Sequence, residues 1–448
     1  MAAKPLRGLR QDQHLFPVTE ERASQTALAP TNKEAEKRSG VVIWVNVVLA
    51  ALLMAATLPG RTQGLGLITE PLLHDLGLDR VVYADINLWA TLIGAAFCLP
   101  AGWLFDRLGL RLTTASILLL LGAVVWRMSV HAGSVAVFFV LVLLTRGLGQ
   151  SALSVASLTI VGKSSGRRVG LAMGIYSALV TVFFVGAFQI VGREVLGHGW
   201  RRAWAEIAYA LLAVVTPLTL LFLRETKTQP GGAATQAAST TLEGLNLAQA
   251  LRTPAFWIFG GATALYGLAA SGLGLFNQAV LAERGFDPKT YYSFLSGTTA
   301  IGLAGQLLCG WLSTRWPMPS LLALAMMLYA FGLTVLPLIH TLSQLWLCAV
   351  LIGLSGGFIT VLFFAVWSHA FGSRELGRIQ GAAQMLTVFA SAIGPLLFAS
   401  CFAHFHSYSP ALWTLAPIVL LLGGAALRVT MPRWQATAPA VDSTRSVA

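Results

Sequence analysis

The stretch GWLFDRLGLR, residues Gly102 to Arg111, places one carboxylate and two guanidinium groups between two long apolar runs. Charged side chains are costly in the hydrocarbon core of a membrane, so such a stretch belongs at the membrane surface. Gly102 and Gly109 let backbones approach closely. The sequence therefore predicts a short loop here that joins two membrane-spanning helices.

The composition of the whole chain is that of an integral membrane protein. Of its 448 residues, 56% are hydrophobic and only 11% are charged, and the mean hydropathy is +0.71. Soluble domains carry roughly 25% charged residues. Apolar runs recur that are long enough to cross a core of roughly 30 Å as helices. We predict about twelve spans: 41–69, 83–104, 112–131, 135–160, 168–191, 203–223, 254–282, 291–312, 320–340, 343–370, 375–402 and 410–428.

The distribution of basic residues predicts the orientation. Most of the 30 Lys and Arg residues fall in the tails and in the loops on the same side, and few fall in the alternate loops. By the positive-inside rule both termini are cytoplasmic, and the plasma or inner membrane is the expected location. The same bias accounts for most of the formal charge of +12, so we expect no nucleic-acid partner.

Two pairs of stretches match each other along the chain. QGLGLITEPLLHDLGLD, residues 63–79, and SGLGLFNQAVLAERGFD, residues 271–287, share three glycines and the final aspartate in register. The match continues at the same offset into IGAAFCLPAGWLFDR, residues 93–107, and IGLAGQLLCGWLSTR, residues 301–315. A register kept over this length indicates an internal duplication.

The duplication predicts a tandem of two six-span halves, residues 41–223 and 254–428. Residues 224–253 are rich in Gly, Ala, Thr and Gln and are expected to form a flexible cytosolic linker. Residues 1–40 and 429–448 are expected to be cytosolic tails, the first of them disordered. A parallel duplication across the membrane normal is a transporter architecture.

The pattern Gly-x-x-x-Asp-Arg-x-Gly-x-Arg that begins at Gly102 resembles the signature loop of the major facilitator superfamily. TRGLGQ, which contains Arg146, is similar to the family's fourth-span arginine motif, and GWRRAW, which contains Trp200, to the turn before its sixth span. The resemblance covers about residues 41 to 428. It implies an all-α membrane protein of about twelve transmembrane helices in two pseudo-symmetric halves, which moves a solute by alternating access.

The resemblance also implies a latch that ties the halves together on the cytosolic side and favours the outward-open state. The N-terminus of the eleventh span, GSRELGR, offers two cations that can pair with a carboxylate. In the second half Thr314 replaces the acid, so only one latch is expected. The predicted latch residues are Gly102, Asp106, Arg107, Gly109, Arg111, Arg374 and Arg378.

Substrate is expected near mid-membrane between the halves, where polar side chains face a central cavity. Polar residues recur at helical spacing on the fourth and eleventh spans, and others lie in the matched stretches of the first and seventh. The alternative is that these groups only form hydrogen bonds between helices, at about 0.6 kcal/mol each. The predicted substrate-binding residues are Arg61, Gln63, Arg146, Gln150, Asn277, Gln278 and Gln384.

Arg61 has no counterpart in the second half, because Ala269 occupies the matching position. It follows Pro59 and Gly60, a pair that can kink or open a helix where it lines a cavity. At 1.5 Å per residue it lies roughly 13 Å below the outer surface, near the midplane. A charged arginine there costs at least about 2.5 kcal/mol and should face protein or water.

Two roles for Arg61 remain open. It either clamps an anionic substrate such as a carboxylate, or it pairs structurally with Asp85, Glu206 or helix carbonyls. These two acids lie near outer span ends and are also the candidate proton carriers, with hydration in loops as the alternative. Uniport and proton symport both remain open.

The patterning of GRRVGLAMGIYSA and FGSRELGRIQGAAQ, which open the fifth and eleventh spans, is similar to the monocarboxylate and oxalate/formate branches of the family. That resemblance implies a small organic anion as substrate. Those branches often carry a charge in the eighth span, whereas residues 291–312 carry none. A neutral or cationic solute, such as a sugar or a drug, is the alternative, with Arg61 structural.

An intramembrane enzyme and a channel are the rival classes. The spans contain no His-x-x-x-His pair and no carboxylate dyad, and the chain has no phosphate-binding Gly-x-x-x-x-Gly-Lys-Ser/Thr loop. Dissimilar halves argue against a symmetric channel. The four cysteines, Cys98, Cys309, Cys348 and Cys401, fall in spans without metal-ligand spacing, so we expect no cofactor.

Overall fold

The computed structural model describes residues 42–165, 169–224, 244–372 and 374–432, and these form helices joined by short turns. Twelve long helices follow one another: α1 Val42–Gly60, α2 in two pieces Arg80–Ala95 and Cys98–Leu108, α3 Leu110–Ser129, α4 Val135–Lys163, α5 Val169–His198, α6 Trp200–Phe222, α7 Pro254–Ala282, α8 Pro288–Leu312, α9 Met318–Val335, α10 Leu342–Phe371, α11 Leu376–Phe405 and α12 Ser409–Arg428.

Ten of the described helices are long and apolar enough to cross a membrane. The other two of the twelve are α2, which breaks at residues 96–97, and α8, whose hydroxyl and amide side chains lower its mean hydropathy. The predicted all-α architecture of about twelve spans is confirmed.

The matched stretches build the same turn twice. Gly77 and Gly285 both adopt a left-handed conformation, with φ of 60° and 81°, and each is followed two residues later by an aspartate. Asp79 accepts a hydrogen bond from the Val81 backbone N–H at 2.7 Å and so caps α2. Asp287 accepts one from Thr290 at 2.9 Å and caps α8. The shared glycine and aspartate are thus turn and cap residues.

The first span is broken at its centre. Leu58–Gly60 form a 3-10 turn, Arg61 is extended with ψ of 151°, and the chain resumes as two short helices, Thr62–Gly66 and Thr69–Leu76. A Cβ at Gly60 would overlap the carbonyl oxygen of Thr145 in α4, so only glycine allows this approach. The opening expected at Pro59 and Gly60 is therefore present.

Helix α4 contains a second irregularity, a π-helical segment over Arg146–Leu153. π-Helical turns carry an extra residue and occur often at functional sites. The segment packs against the Leu58–Gly60 turn of the broken first span. Both local irregularities therefore meet in the middle of the first half.

The first half (α1–α6) and the second half (α7–α12) contact each other mainly at one end of the helices. We call this end the distal side; it holds the turns at residues 77–79 and 284–287, whereas the ends of the described chain lie on the other, terminal side. The Tyr292 hydroxyl donates to the Leu67 carbonyl oxygen at 3.0 Å, and Gln189 Nε2 donates to Ser296 Oγ at 3.0 Å. The Arg80 guanidinium lies 5.1 Å from the centre of the Phe402 ring. These contacts close the distal side.

The expected tail over residues 1–40, the centre of the linker and the last residues of the expected tail over 429–448 lie outside the described residues. The described end of the linker contains a short helix that the sequence did not indicate, Leu247–Leu251. A capping box between Asn246 and Gln249 holds its start. The linker is therefore not flexible throughout.

Candidate functional site

Arg146 lies at the centre of the first half with only 1% of its surface exposed. Its Nη1 donates to Thr62 Oγ1 at 2.8 Å and to Gln150 Oε1 at 2.7 Å, and its Nη2 donates to Asn87 Oδ1 at 2.7 Å. Its Nε has no partner among the described residues. The guanidinium thus joins the broken first span, α2 and α4 through neutral groups alone.

Arg61 is half-buried beside this cluster. Its Nε donates to Thr57 Oγ1 at 2.6 Å, and its Nη2 contacts Met54 Sδ at 2.8 Å and Ser154 Oγ at 3.2 Å. All of these groups are neutral. Within the described chain, no carboxylate contacts the Arg61 guanidinium.

The two acids predicted as structural partners of Arg61 lie elsewhere. Asp85 is exposed on α2, and Glu206 on α6 accepts from Arg202 Nε at 3.1 Å with 44% of its side chain exposed. The structural pairing of Arg61 with either acid is therefore wrong in this conformation. Whether these carboxylates carry protons stays a prediction.

A cavity of about 330 Å³ lies between the two halves. Its walls come from the broken first span and from α5, α7, α8, α9 and α10, and they contain the predicted residues Gln63 and Asn277. The described lining carries hydroxyl, amide, aromatic and aliphatic groups but no charged side chain. The volume is at the lower end of the roughly 300–1,000 Å³ typical of small-molecule sites.

Phe184 connects Arg61 to this cavity. The Arg61 guanidinium carbon lies 5.5 Å from the centre of the Phe184 ring, and the ring is part of the cavity wall. Arg61 itself is not part of that wall. The Arg61 guanidinium is therefore separated from a neutral cavity by one aromatic ring. Its charge makes the electrostatic potential in the cavity more positive.

The remaining predicted substrate residues are dispersed. Arg146 and Gln150 form the cluster behind Arg61, while Gln63 and Asn277 line the cavity. Gln278 is half-buried outside the lining, and its Oε1 has no described partner. Gln384 is exposed on α11 and is also outside the lining.

Several residues of the site were not predicted. Asn87 holds Arg146, and its signal was one amide within a mostly apolar predicted span. Phe184 and Tyr329 line the cavity, but they lie in apolar runs where nothing distinguishes a cavity-facing ring from a lipid-facing one. Only the packing of the helices shows that these two residues line the cavity.

The predicted latch is only partly described. The Asp106 side chain lies outside the described residues, so its pairing with α11 stays a prediction. Arg107 and Arg315, at matching positions of the halves, each lie 4.2 Å from a tryptophan ring four residues earlier. Gly102 and Gly109 lie at the terminal end of α2, Arg111 lies at the start of α3, and Arg374 is exposed just before α11.

Arg378 has a partner on its own side of the interface. Its Nη1 donates to Glu375 Oε1 at 3.2 Å, and the Leu247 backbone N–H donates to Glu375 Oε2 at 2.9 Å. The backbone hydrogen bond from Leu247, and then Arg378, hold the pKa of Glu375 below its usual range. Glu375 therefore ties the described end of the linker to the start of α11.

Comparison with known proteins identifies the family. Residues 43–395 and 260–446 match the profile of the Major Facilitator Superfamily. The chain belongs to this superfamily. The matched regions cover all twelve helices, and major facilitator proteins are transporters of small molecules across lipid bilayers.

Two solved structures show the same fold. A bacterial homologue of the human lysosomal transporter Spinster, in an inward-facing and unoccupied conformation, superposes with a TM-score of 0.65 at 15% identity over 86% of this chain and 94% of that chain. The nucleoside transporter NupG superposes with a TM-score of 0.68 at 14% identity over 86% and 98%. At such identities the similarity shows the fold and carries no information on substrate.

Proposed function

We propose that this major facilitator transporter moves a small organic anion through the central cavity by alternating access. The observation that carries the proposal is the uncompensated charge of Arg61, whose described contacts are all neutral. A cation within a membrane span that lacks an acidic partner is costly and is a functional site by default. An anion that enters the cavity supplies the missing countercharge.

The second arginine supports this interpretation. Arg146 also bonds only to neutral groups, so two guanidinium groups lie close together without a described carboxylate. Their fields add at the cavity, where the low dielectric strengthens charge interactions relative to water. An anion is stabilised there and a cation is repelled.

The conformation and the charge distribution support a direction of access. Contacts between the halves on the distal side support access to the cavity from the terminal side in this state. The excess of Lys and Arg in the terminal loops supports a cytoplasmic location of this side, in a plasma or inner membrane. The cavity then faces the cytoplasm here.

A neutral polar solute is the second candidate. The specific observation in its favour is the cavity wall itself, which carries no charged side chain among the described residues. In this case Arg61 organises the broken first span through Thr57 and Ser154. Substitution of Arg61 would then damage folding and transport of every solute together.

Uptake into proteoliposomes tests the proposal. The panel contains carboxylates, uncharged sugars and cationic drugs, each with and without an imposed pH gradient. We expect saturable uptake of carboxylates, competition among them, and none for the cations. Uptake of a sugar at the rate of the best carboxylate would overturn the anion proposal in favour of the neutral solute.

A further inference from the structure

We infer that the transported anion carries several hydrogen-bond donors, with a polyhydroxylated carboxylic acid as the substrate class. This inference rests on the proposed anion transport and adds a requirement that Arg61 does not impose. Its basis is the wall of the cavity, mostly from the second half, which offers acceptors that no described group satisfies. In this conformation the Phe184 ring lies between Arg61 and the cavity, so the ring must move aside for the carboxylate to reach Arg61, and the hydroxyl-bearing chain fills the cavity beyond it.

The hydroxyl groups of four threonines in the wall already donate a hydrogen bond within their own helix. Thr181, Thr298, Thr299 and Thr360 each donate their hydroxyl to the carbonyl oxygen four residues earlier in the same helix, at 2.8–3.0 Å. All four line the cavity. A hydroxyl whose proton is committed in this way retains lone pairs. To a solute, these side chains are therefore hydrogen-bond acceptors.

Two further polar atoms in the wall have no partner at all among the described residues. They are Oδ1 of Asn277 and the hydroxyl of Tyr329. The two residues are 8% and 1% exposed. Both residues line the cavity. A buried polar atom without a partner costs about 1–3 kcal/mol, and a ligand can supply the partner where the atom lines a cavity. The Asn277 oxygen accepts a hydrogen bond from a donor on such a ligand.

Hydroxyl and ammonium groups both supply hydrogen-bond donors. The charge of the site decides which of the two it favours. Arg61 and Arg146 have no described acidic partner, so a second positive group in the solute would raise the local charge further. Hydroxyl groups donate without adding charge. Hydroxyls are therefore the donors that this cavity favours.

Four six-carbon probes separate charge from hydrogen-bond donors. Hexanoate carries charge alone, sorbitol carries donors alone, gluconate carries both, and 6-aminohexanoate carries a carboxylate with an ammonium donor. Binding to the purified full-length protein is measured by calorimetry. We expect gluconate to bind about tenfold more tightly than hexanoate, as one or two net hydrogen bonds allow, and sorbitol more weakly than either acid.

Two substitutions test the wall, each with a matched control. Thr298→Val and Tyr329→Phe should each weaken gluconate binding about 2- to 10-fold and leave hexanoate unchanged. Thr334 makes the same intrahelical bond, at 2.8 Å to Ala330, but lies outside the lining, so Thr334→Val should change neither. Tyr291 has a buried hydroxyl without a described partner and is also outside the lining, so Tyr291→Phe is the control for Tyr329.

The outcomes are distinct. Equal affinity for gluconate and hexanoate, with sorbitol weaker, overturns the donor requirement and leaves anion transport standing. Sorbitol binding as tightly as gluconate overturns anion transport itself. Tighter binding of 6-aminohexanoate than of gluconate overturns the assignment of hydroxyls, and an equal loss for both acids in Thr298→Val and Thr334→Val shows that the effect is structural.

Discussion

Gly66 and Gly274 occupy matching positions in the two halves and touch each other on the distal side. The contact is one-sided. A Cβ at Gly66 would overlap the carbonyl oxygen of Gly274, whereas a Cβ at Gly274 would lie 3.5 Å from Thr62 Cγ2, an ordinary contact. The two matching positions therefore differ in whether they can accept a side chain. The reason is that the broken first span and the continuous α7 present different surfaces.

The first prediction is that Gly66→Ala opens the distal side. Overpacking of a close contact costs typically about 1–3 kcal/mol, which changes the ratio of closed to open states by about 5- to 150-fold. Spin labels at Gly197 and Lys289, exposed distal positions on α5 and α8, report the separation of the halves. We expect longer distances in Gly66→Ala and wild-type distances in Gly274→Ala. Identical distributions in the two variants would refute this role.

The second prediction concerns the latch. Asp106→Asn should lower transport with folding intact, because the amide loses charge-assisted bonds to Arg374 or Arg378. Thr314→Val is the matched control, since among the described residues the Thr314 hydroxyl donates only to the Trp311 carbonyl oxygen, at 2.8 Å. Uptake and expression are measured together. Equal losses of uptake at unchanged expression would exclude a single latch.

The third prediction concerns protons. We predict that any proton coupling runs through Asp85 or Glu206, because both carboxylates are exposed, whereas Glu70 and Glu283 beside the spans are only partly exposed. Glu70 accepts from Arg80 Nη2 at 2.7 Å, and Glu283 accepts from the Tyr408 backbone N–H at 3.1 Å. Uptake driven by a pH gradient alone should fall in Asp85→Asn or in Glu206→Gln. If both variants keep it, neither carboxylate carries the proton.

The sequence predicts the framework of the protein well. Hydropathy identifies about twelve spans, and the matched glycines and aspartates correspond to two copies of one turn, at Gly77–Asp79 and Gly285–Asp287. The break at Pro59 and Gly60 is also evident from the sequence, since both residues disfavour a continuous helix. The spans, the two turns and the break each depend on residues that are close together in the sequence, so the sequence alone predicts them.

The site is less predictable because it depends on packing between distant helices. Arg61 and Arg146 stand out as charges within apolar runs, but their partners Ser154, Thr62 and Asn87 are ordinary polar residues until the fold brings them together. The same holds for the cavity wall. Aromatic residues that face the cavity and aromatic residues that face lipid lie in equally apolar runs, so the sequence does not distinguish them.

The central claim is that Arg61 meets the negative group of the substrate. Since no described acid pairs with it, Arg61→Gln strands no buried carboxylate and should fold with at least wild-type stability. It should lose about 1.5–3 kcal/mol of carboxylate binding, and Arg61→Lys should bind with intermediate affinity because it keeps the charge without the planar fork.

The most direct measurement compares the thermal stability of purified wild type and Arg61→Gln, without ligand and with gluconate or hexanoate. The account predicts similar unliganded Tm values and loss of the ligand-induced rise in the variant. A wild-type rise in Arg61→Gln would contradict the claim, as would a loss of about 3–5 kcal/mol in unfolding free energy, the mark of a broken buried ion pair.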